Sequence, residues 1–106
     1  MARAHYYDPC EVASDAAYAL IALSSDPGGL LVGCRLVLEY HPDNAPLWWV
    51  CAQAVTSLEP RRVLRECLEK LHDADSENVH PWDVSIEKLH RQFPDAVHLL
   101  KNARTI

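Results

Sequence analysis

The chain has 106 residues, of which 49% are hydrophobic and 24% are charged, and its formal net charge is −5. This length suits one domain, which we place over residues 1–106, and no uninterrupted apolar run of about 18 residues exists to cross a bilayer. The acidic balance excludes a cationic nucleic-acid footprint, and the N-terminus lacks the basic and apolar regions of a secretion signal. We therefore expect a cytoplasmic protein that contacts neither nucleic acid nor a membrane.

Apolar residues recur at spacings of three and four, which predicts helices along the whole chain. The first helix is predicted over residues 8–24, with Asp8 as its N-cap and Pro9 in its first turn. Its predicted apolar stripe consists of Val12, Ala16, Ala19, Leu20 and Leu23.

The second helix is predicted over residues 27–40, with Asp26 as its N-cap. Gly33 inside this helix costs about 1 kcal/mol relative to alanine, which indicates that another helix approaches closely there. The third helix is predicted over residues 45–57, after the break at "HPDN".

The second half of the chain contains the same kinds of helix-starting and helix-breaking residues. A fourth helix is predicted from the stretch "LEPRR" to residue 72, a fifth over residues 80–92, and a sixth from Pro94 towards residue 104. The polar stretch "DADSENVHP" between the fourth and fifth is predicted to be a mobile loop. Six short helices with short connections predict an all-α domain.

The prolines and tryptophans near the predicted helix starts recur at a regular spacing. Pro60 and Pro94 are 34 positions apart, as are Trp48 and Trp82, and Pro27 and Pro60 are 33 apart. A helix–turn–helix unit that recurs about every 34 residues is typical of a helical solenoid. The approximate repeats are residues 8–41, 42–75 and 76–106.

The stretch "LVLEYHPDNAPLWWVCAQAV" resembles the junction between two tetratricopeptide repeats. In that family a proline ends the second helix, a short turn follows, and an aromatic residue with a small residue four positions on opens the next helix. The matching residues are Pro42, Asp43, Asn44, Trp48 and Ala52. The resemblance implies three antiparallel helix pairs in a right-handed stack like that of the tetratricopeptide family.

The same central stretch is also similar to the helical N-terminal region of bacterial proteins related to initiation factor 2B. That fainter resemblance implies a stand-alone helical relative of those proteins, because nothing in residues 76–106 resembles the nucleotide-fold domain that follows in them.

Neighbouring helical residues point about 100° apart, so Trp48 and Trp49 face different directions. The repeat pattern assigns Trp48 to the core. For Trp49 two interpretations stay open, burial in the core and a docking role on the concave side. The predicted core residues are Trp48, Ala52, Cys34, Cys51 and Cys67.

The tetratricopeptide resemblance also implies a concave groove that binds a partner. The groove positions of that family fall on Trp49, Gln53, Thr56, Asp83, Glu87, His90 and Arg91, together with Pro46. Their mixed charge favours a partner with a basic or neutral polar face and an apolar anchor. The predicted function is therefore a non-enzymatic protein–protein interaction module, a small adaptor or scaffold that binds another protein or a peptide.

Two other functions stay open. The first helix is apolar on several faces, and repeat stacks need polar outer caps, so a self-assembling dimerisation domain is one alternative. A redox or metal sensor built on Cys10, Cys51 and the histidines is another, with Cys10 expected to be the most exposed cysteine. No nucleophile–base pair, glycine-rich phosphate loop or recognised metal-ligand spacing is present, so we expect no catalysis, no cofactor and no metal.

Overall fold

A computed structural model describes residues 8–76 and 79–102, and all regular structure in those ranges is helical. A 3₁₀ turn, Ala74–Ser76, follows the fourth helix. The α-helices are α1 Pro9–Ala22, α2 Pro27–Tyr40, α3 Ala45–Val55, α4 Pro60–His72, α5 Ile86–Gln92 and α6 Pro94–Asn102. The all-α class predicted from the sequence is confirmed.

Short polar side chains and prolines set where the helices begin. Asp8 accepts a hydrogen bond from the N–H of Cys10, and Asp26 accepts one from Gly29. Each of these caps stands directly before a proline, whose missing N–H costs nothing in the first turn of a helix. The predicted starts of α1 and α2 are therefore confirmed.

Asn44 has two roles at the start of α3. Its side-chain oxygen accepts a hydrogen bond from the N–H of Leu47 at 2.9 Å and so caps the helix. Its amide nitrogen donates to the carbonyl oxygen of Pro9 at 3.2 Å, which ties the beginning of α3 to the beginning of α1.

Helix α3 lies in the centre of the molecule. It contacts each of the other five α-helices. Its buried residues cover nearly its whole circumference, as expected for a helix enclosed by others; they are Pro46, Leu47, Trp48, Trp49, Val50, Cys51, Ala52 and Ala54.

The remaining contacts do not isolate three helix pairs. Helix α1 packs most extensively against α4 and α3 and only lightly against α2, while α2 reaches α6 at the far end of the sequence. A stack of repeats would restrict each unit to its neighbours. The paired stack stays a prediction, whereas the observed contacts centre on α3.

The predicted apolar stripe of α1 is correct in part, because Leu20 is buried and half-buried Ala16 packs against the core. The buried residues are Ala13, Ala17 and Leu20, whereas Ala19 and Leu23 are exposed. Small alanines face the neighbouring helices, because α1 must approach α3 and α4 closely. The larger Leu23, which follows the last residue of α1, is 38% exposed and reaches towards Gly33 of α2.

Gly33 occupies the close approach that the sequence predicts. A β-carbon at this position would lie 2.8 Å from Cδ1 of Leu23 and 3.3 Å from Cδ2 of Leu20. Leucine side chains at the C-terminal end of α1 therefore pack directly on Gly33, and a side chain at this position would have to displace Leu23, in agreement with the predicted close contact.

The predicted fifth helix begins too early. Residues 80–85 form turns, and α5 starts only after Ser85, whose hydroxyl accepts a hydrogen bond from the N–H of Lys88 at 3.1 Å. Asp83 accepts from the backbone N–H of His80 at 2.8 Å and closes the preceding turn. Of the predicted loop over residues 73–81, residues 77 and 78 lie outside the described ranges, as do the last residues of the predicted sixth helix.

Candidate functional site

Trp48 and Trp49 are both buried, with 6% and 5% of their surfaces exposed. They face different neighbours, as adjacent positions on a helix require. Trp48 packs against His90 of α5, with ring centroids 4.7 Å apart, and against Phe93 at 6.3 Å. Trp49 packs against Trp82 with centroids 5.0 Å apart.

The docking interpretation of Trp49 is therefore wrong, and the core interpretation is correct. Trp82 lies in the turns before α5, so that segment folds back over the face of α3 that carries Trp49 and covers the ring. The residues assigned to the core are buried without exception: Trp48, Ala52, Cys34, Cys51 and Cys67.

The other residues of the predicted groove are dispersed. On α3 and its C-terminal end, Gln53 is half-buried, and the hydroxyl of exposed Thr56 donates to the carbonyl oxygen of Ala52 at 2.7 Å. Pro46 is buried in the first turn of α3. Asp83 belongs to the turn before α5 and not to a helical groove face, which corrects its placement.

The three groove residues on α5 are exposed: Glu87, His90 and Arg91. Among the residues predicted for the groove, His90 alone lines a pocket between α2, α3 and α6.

The pocket lies between α2, α3 and α6 and has a volume of about 480 Å³. We call it the α2–α6 pocket. Its apolar walls are Leu38, Pro42, Trp48, Val97 and Leu100, and its charged or titratable rim is Arg35, Glu39, His90 and Lys101. This size falls within the range of about 300 to 1,000 Å³ that is typical of ligand sites.

Two helices supply the rim charges. Arg35 and Glu39 lie one turn apart on α2, and the guanidinium Nε is 3.4 Å from the carboxylate. The charges of Arg35 and Glu39 offset each other, and Lys101 of α6 adds one more positive charge to the rim. The rim thus has a local excess of positive charge, in a chain whose net charge is −5.

Sequence reasoning missed Arg35, Glu39 and Lys101 as site residues. The spacing of Arg35 and Glu39 marks an ion pair on a helix surface, but such pairs are common and seldom mark a site. Only the non-local contact between α2 and α6 brings these charges around one apolar pocket.

A second polar cluster surrounds His80. Its Nδ1 lies 2.9 Å from Oδ2 of Asp83, and its Nε2 lies 2.8 Å from the carbonyl oxygen of Ala74. The imidazole is also parallel to the indole of Trp82, with centroids 4.9 Å apart. These contacts fasten the segment that covers Trp49 to the end of α4, so the cluster has a structural role.

The buried thiols are poor nucleophiles. Hydrogen bonding with Cys34, together with burial, raises the pKa of the Cys51 thiol well above its ordinary value. Burial raises the pKa of Cys67 to about 12, to which the nearby Glu66 also contributes. Since the thiolate is the reactive form, both residues are neutral and inert near pH 7.

Cys10 is half-buried and is the most exposed of the four cysteines, as the sequence predicts. It lines a smaller pocket between α1 and α4, together with Asp8, His72 and His80. Within residues 8–76 and 79–102, no group of three His, Cys, Asp or Glu side chains converges on a position that would hold a metal ion. His5, its neighbour in the sequence, lies outside these ranges.

These features define an all-α domain with a central helix and an apolar surface pocket. Comparisons with protein-family models, with curated proteins and with solved structures found no match for the chain. The resemblances to tetratricopeptide repeats and to the proteins related to initiation factor 2B stay predictions. Among the described helices, none has both the length and the apolarity to cross a membrane.

Proposed function

We propose that the protein is a non-enzymatic interaction module whose α2–α6 pocket receives an apolar side chain of a partner protein or peptide. The observation that carries the proposal is an apolar pocket with a tryptophan in its wall and charged side chains on its rim. Apolar anchors that enter such pockets supply most of the affinity of many interfaces.

The charges on the rim favour a partner with an acidic residue beside its anchor. Glu39 lies within ion-pair distance of Arg35, whereas Lys101 adds a positive charge from α6. This differs from the basic or neutral partner that the sequence favours, because Asp83 and Glu87 do not line the pocket. A charged rim contributes mainly to orientation and association rate, so the apolar anchor should dominate the affinity.

The walls of the pocket are helices, which suits a partner segment that lies along them. A short amphipathic helix can present one apolar residue to the pocket and an acidic residue one turn away. We also keep the tetratricopeptide-like stack of helix pairs as part of this proposal, because such a stack would present a groove to a partner. A cytoplasmic location is part of it too, which is consistent with the absence of disulfides at Cys34, Cys51 and Cys67.

The test is selection of peptides from a random displayed library, followed by titration against three forms of the protein. Leu38→Gln makes one pocket wall polar, and Leu36→Gln is the matched control, because Leu36 is on the same helix, is 43% exposed and does not line the pocket. Far-UV circular dichroism establishes that each form is folded.

We expect selected peptides to carry an apolar residue flanked by an acidic one. Leu38→Gln should weaken their binding about tenfold or more, which is the loss expected for one wall of an anchor pocket, and Leu36→Gln should leave it within about twofold. Failure to enrich any peptide, or equal binding by folded Leu38→Gln, would contradict the proposed function.

A further inference from the structure

The most exposed apolar side chain in the described part of the molecule is Leu58, in the link between α3 and α4. Its relative exposure is 100%. The link is nonetheless held in place, since the hydroxyl of Ser57 accepts a hydrogen bond from the N–H of Glu59 at 2.9 Å. Leu58 therefore projects into solvent from a fixed turn.

A second pocket, of about 400 Å³, lies directly beside this leucine. We call the pocket together with Leu58 the Leu58 face. Its apolar lining comes from the start of α2, the end of α3 and α6, and includes Pro27, Leu30, Leu31, Val55, Leu58 and Leu99. The face thus combines a protruding leucine with a cavity that has room for one.

We propose that the Leu58 face pairs with the same face of a second copy of this chain, so that Leu58 of each copy enters the pocket of the other. A two-fold interface uses one patch twice and must therefore be self-complementary. A projection and a cavity side by side in one patch meet this requirement, whereas a partner of another kind would need only one of them.

Charge does not oppose a second copy at this face. Each copy carries a formal charge of −5, so two copies repel unless they meet where acidic side chains are absent or already engaged. Among the described residues that line the Leu58 face, none is charged. The acidic residues next to it in sequence are engaged, because Asp26 accepts from Gly29 and Glu59 lies 3.4 Å from Arg62.

The Leu58 face is independent of the α2–α6 pocket. The two share no lining residue, and they lie at opposite ends of α2 and α3. Dimer formation through one would therefore leave the other open to a partner, and failure of either proposal does not decide the other.

Sedimentation velocity over about 5 to 500 µM chain measures the pairing in solution. We expect a reversible dimer with a dissociation constant of about 10 to 100 µM, since the face is small compared with those of obligate dimers. Leu58→Asp should be a monomer throughout this range, because a two-fold interface would contain the substituted residue of both copies. Leu99→Asp, on the wall of the pocket, should be a monomer as well.

Leu36→Asp is the matched control, since it also places a carboxylate at an exposed leucine but outside the Leu58 face. It should dimerise as the wild type does. Leu58 is fully exposed, so Leu58→Asp should also keep the thermal transition of the monomer. A wild-type monomer at about 500 µM, which would leave the face to a different protein, overturns the proposal. Dimerisation of Leu58→Asp equal to that of the wild type overturns it too.

Discussion

At the scale of single residues, Cys67 makes the free energy of unfolding fall at alkaline pH. The thiol is in the core, and burial raises its pKa from 9.0 to about 12 in the folded protein. The unfolded chain gives up this proton at lower pH than the folded chain does. The contribution to stability is therefore fully present below pH 9 and is lost as the pH rises from 9 towards 12.

We expect the free energy of unfolding to fall by about 2 kcal/mol through this group between about pH 8 and pH 10.5. Cys67→Ala removes the titrating group. Between the same two pH values, the free energy of unfolding of this variant should therefore fall by about 2 kcal/mol less than that of the wild type. Urea denaturation of both forms at the two pH values measures the difference. Parallel pH profiles for the two forms would show that the thiol does not contribute.

The tryptophan pair shows how far sequence reasoning reaches for a single side chain. The angle between adjacent helical residues correctly predicts that Trp48 and Trp49 have different neighbours. It does not say what those neighbours are. Trp49 is covered by Trp82, and Trp48 instead borders the α2–α6 pocket, because of contacts between segments more than 30 positions apart.

At the scale of elements, the turn before α5 is held by Asp83. This carboxylate accepts from the backbone N–H and faces the ring Nδ1 of His80, at 2.8 and 2.9 Å. Asp83→Ala leaves both groups without that acceptor, and we expect it to lower the free energy of unfolding by about 1 to 3 kcal/mol.

Glu87→Ala is the control, since Glu87 is exposed in the first turn of α5 and was assigned to the same groove. Its loss should cost about 0.5 kcal/mol or less, mainly through the helix dipole. Urea denaturation of the two variants distinguishes the roles. Equal losses at both positions would mean that Asp83 does not hold the turn.

The first four helices could be predicted to within two residues, because their starts are fixed locally. A capping side chain or a first-turn proline marks each start, and these signals act over three or four residues. The predicted α5 begins too early because Trp82, Ile86 and Leu89 are spaced four and three positions apart, which is the spacing of one helix face. The competing signal was Ser85, followed by Glu87 in the first turn, which is a common pattern at a helix start.

At the scale of the whole molecule, the candidate site depends on contacts that no local pattern encodes. The all-α class follows from apolar periodicity alone. The α2–α6 pocket exists because α6 packs on α2 and α3, which are distant from it in the sequence. Of its rim and walls, His90 was proposed from sequence as a site residue and Trp48 only as core.

Native-state hydrogen exchange measures whether the molecule opens as one unit or by repeats. In a repeat stack, units can open separately because each contacts only its neighbours. Here α1 packs mainly on α3 and α4, so elements of the first and second predicted repeats share one core. We expect the slowest amides of α1, α3 and α4 to open with free energies within about 1 kcal/mol of each other and the same denaturant dependence. The seven-residue α5 should exchange faster. Separate opening of residues 8–41 from residues 42–75 would instead favour the stack of independent units.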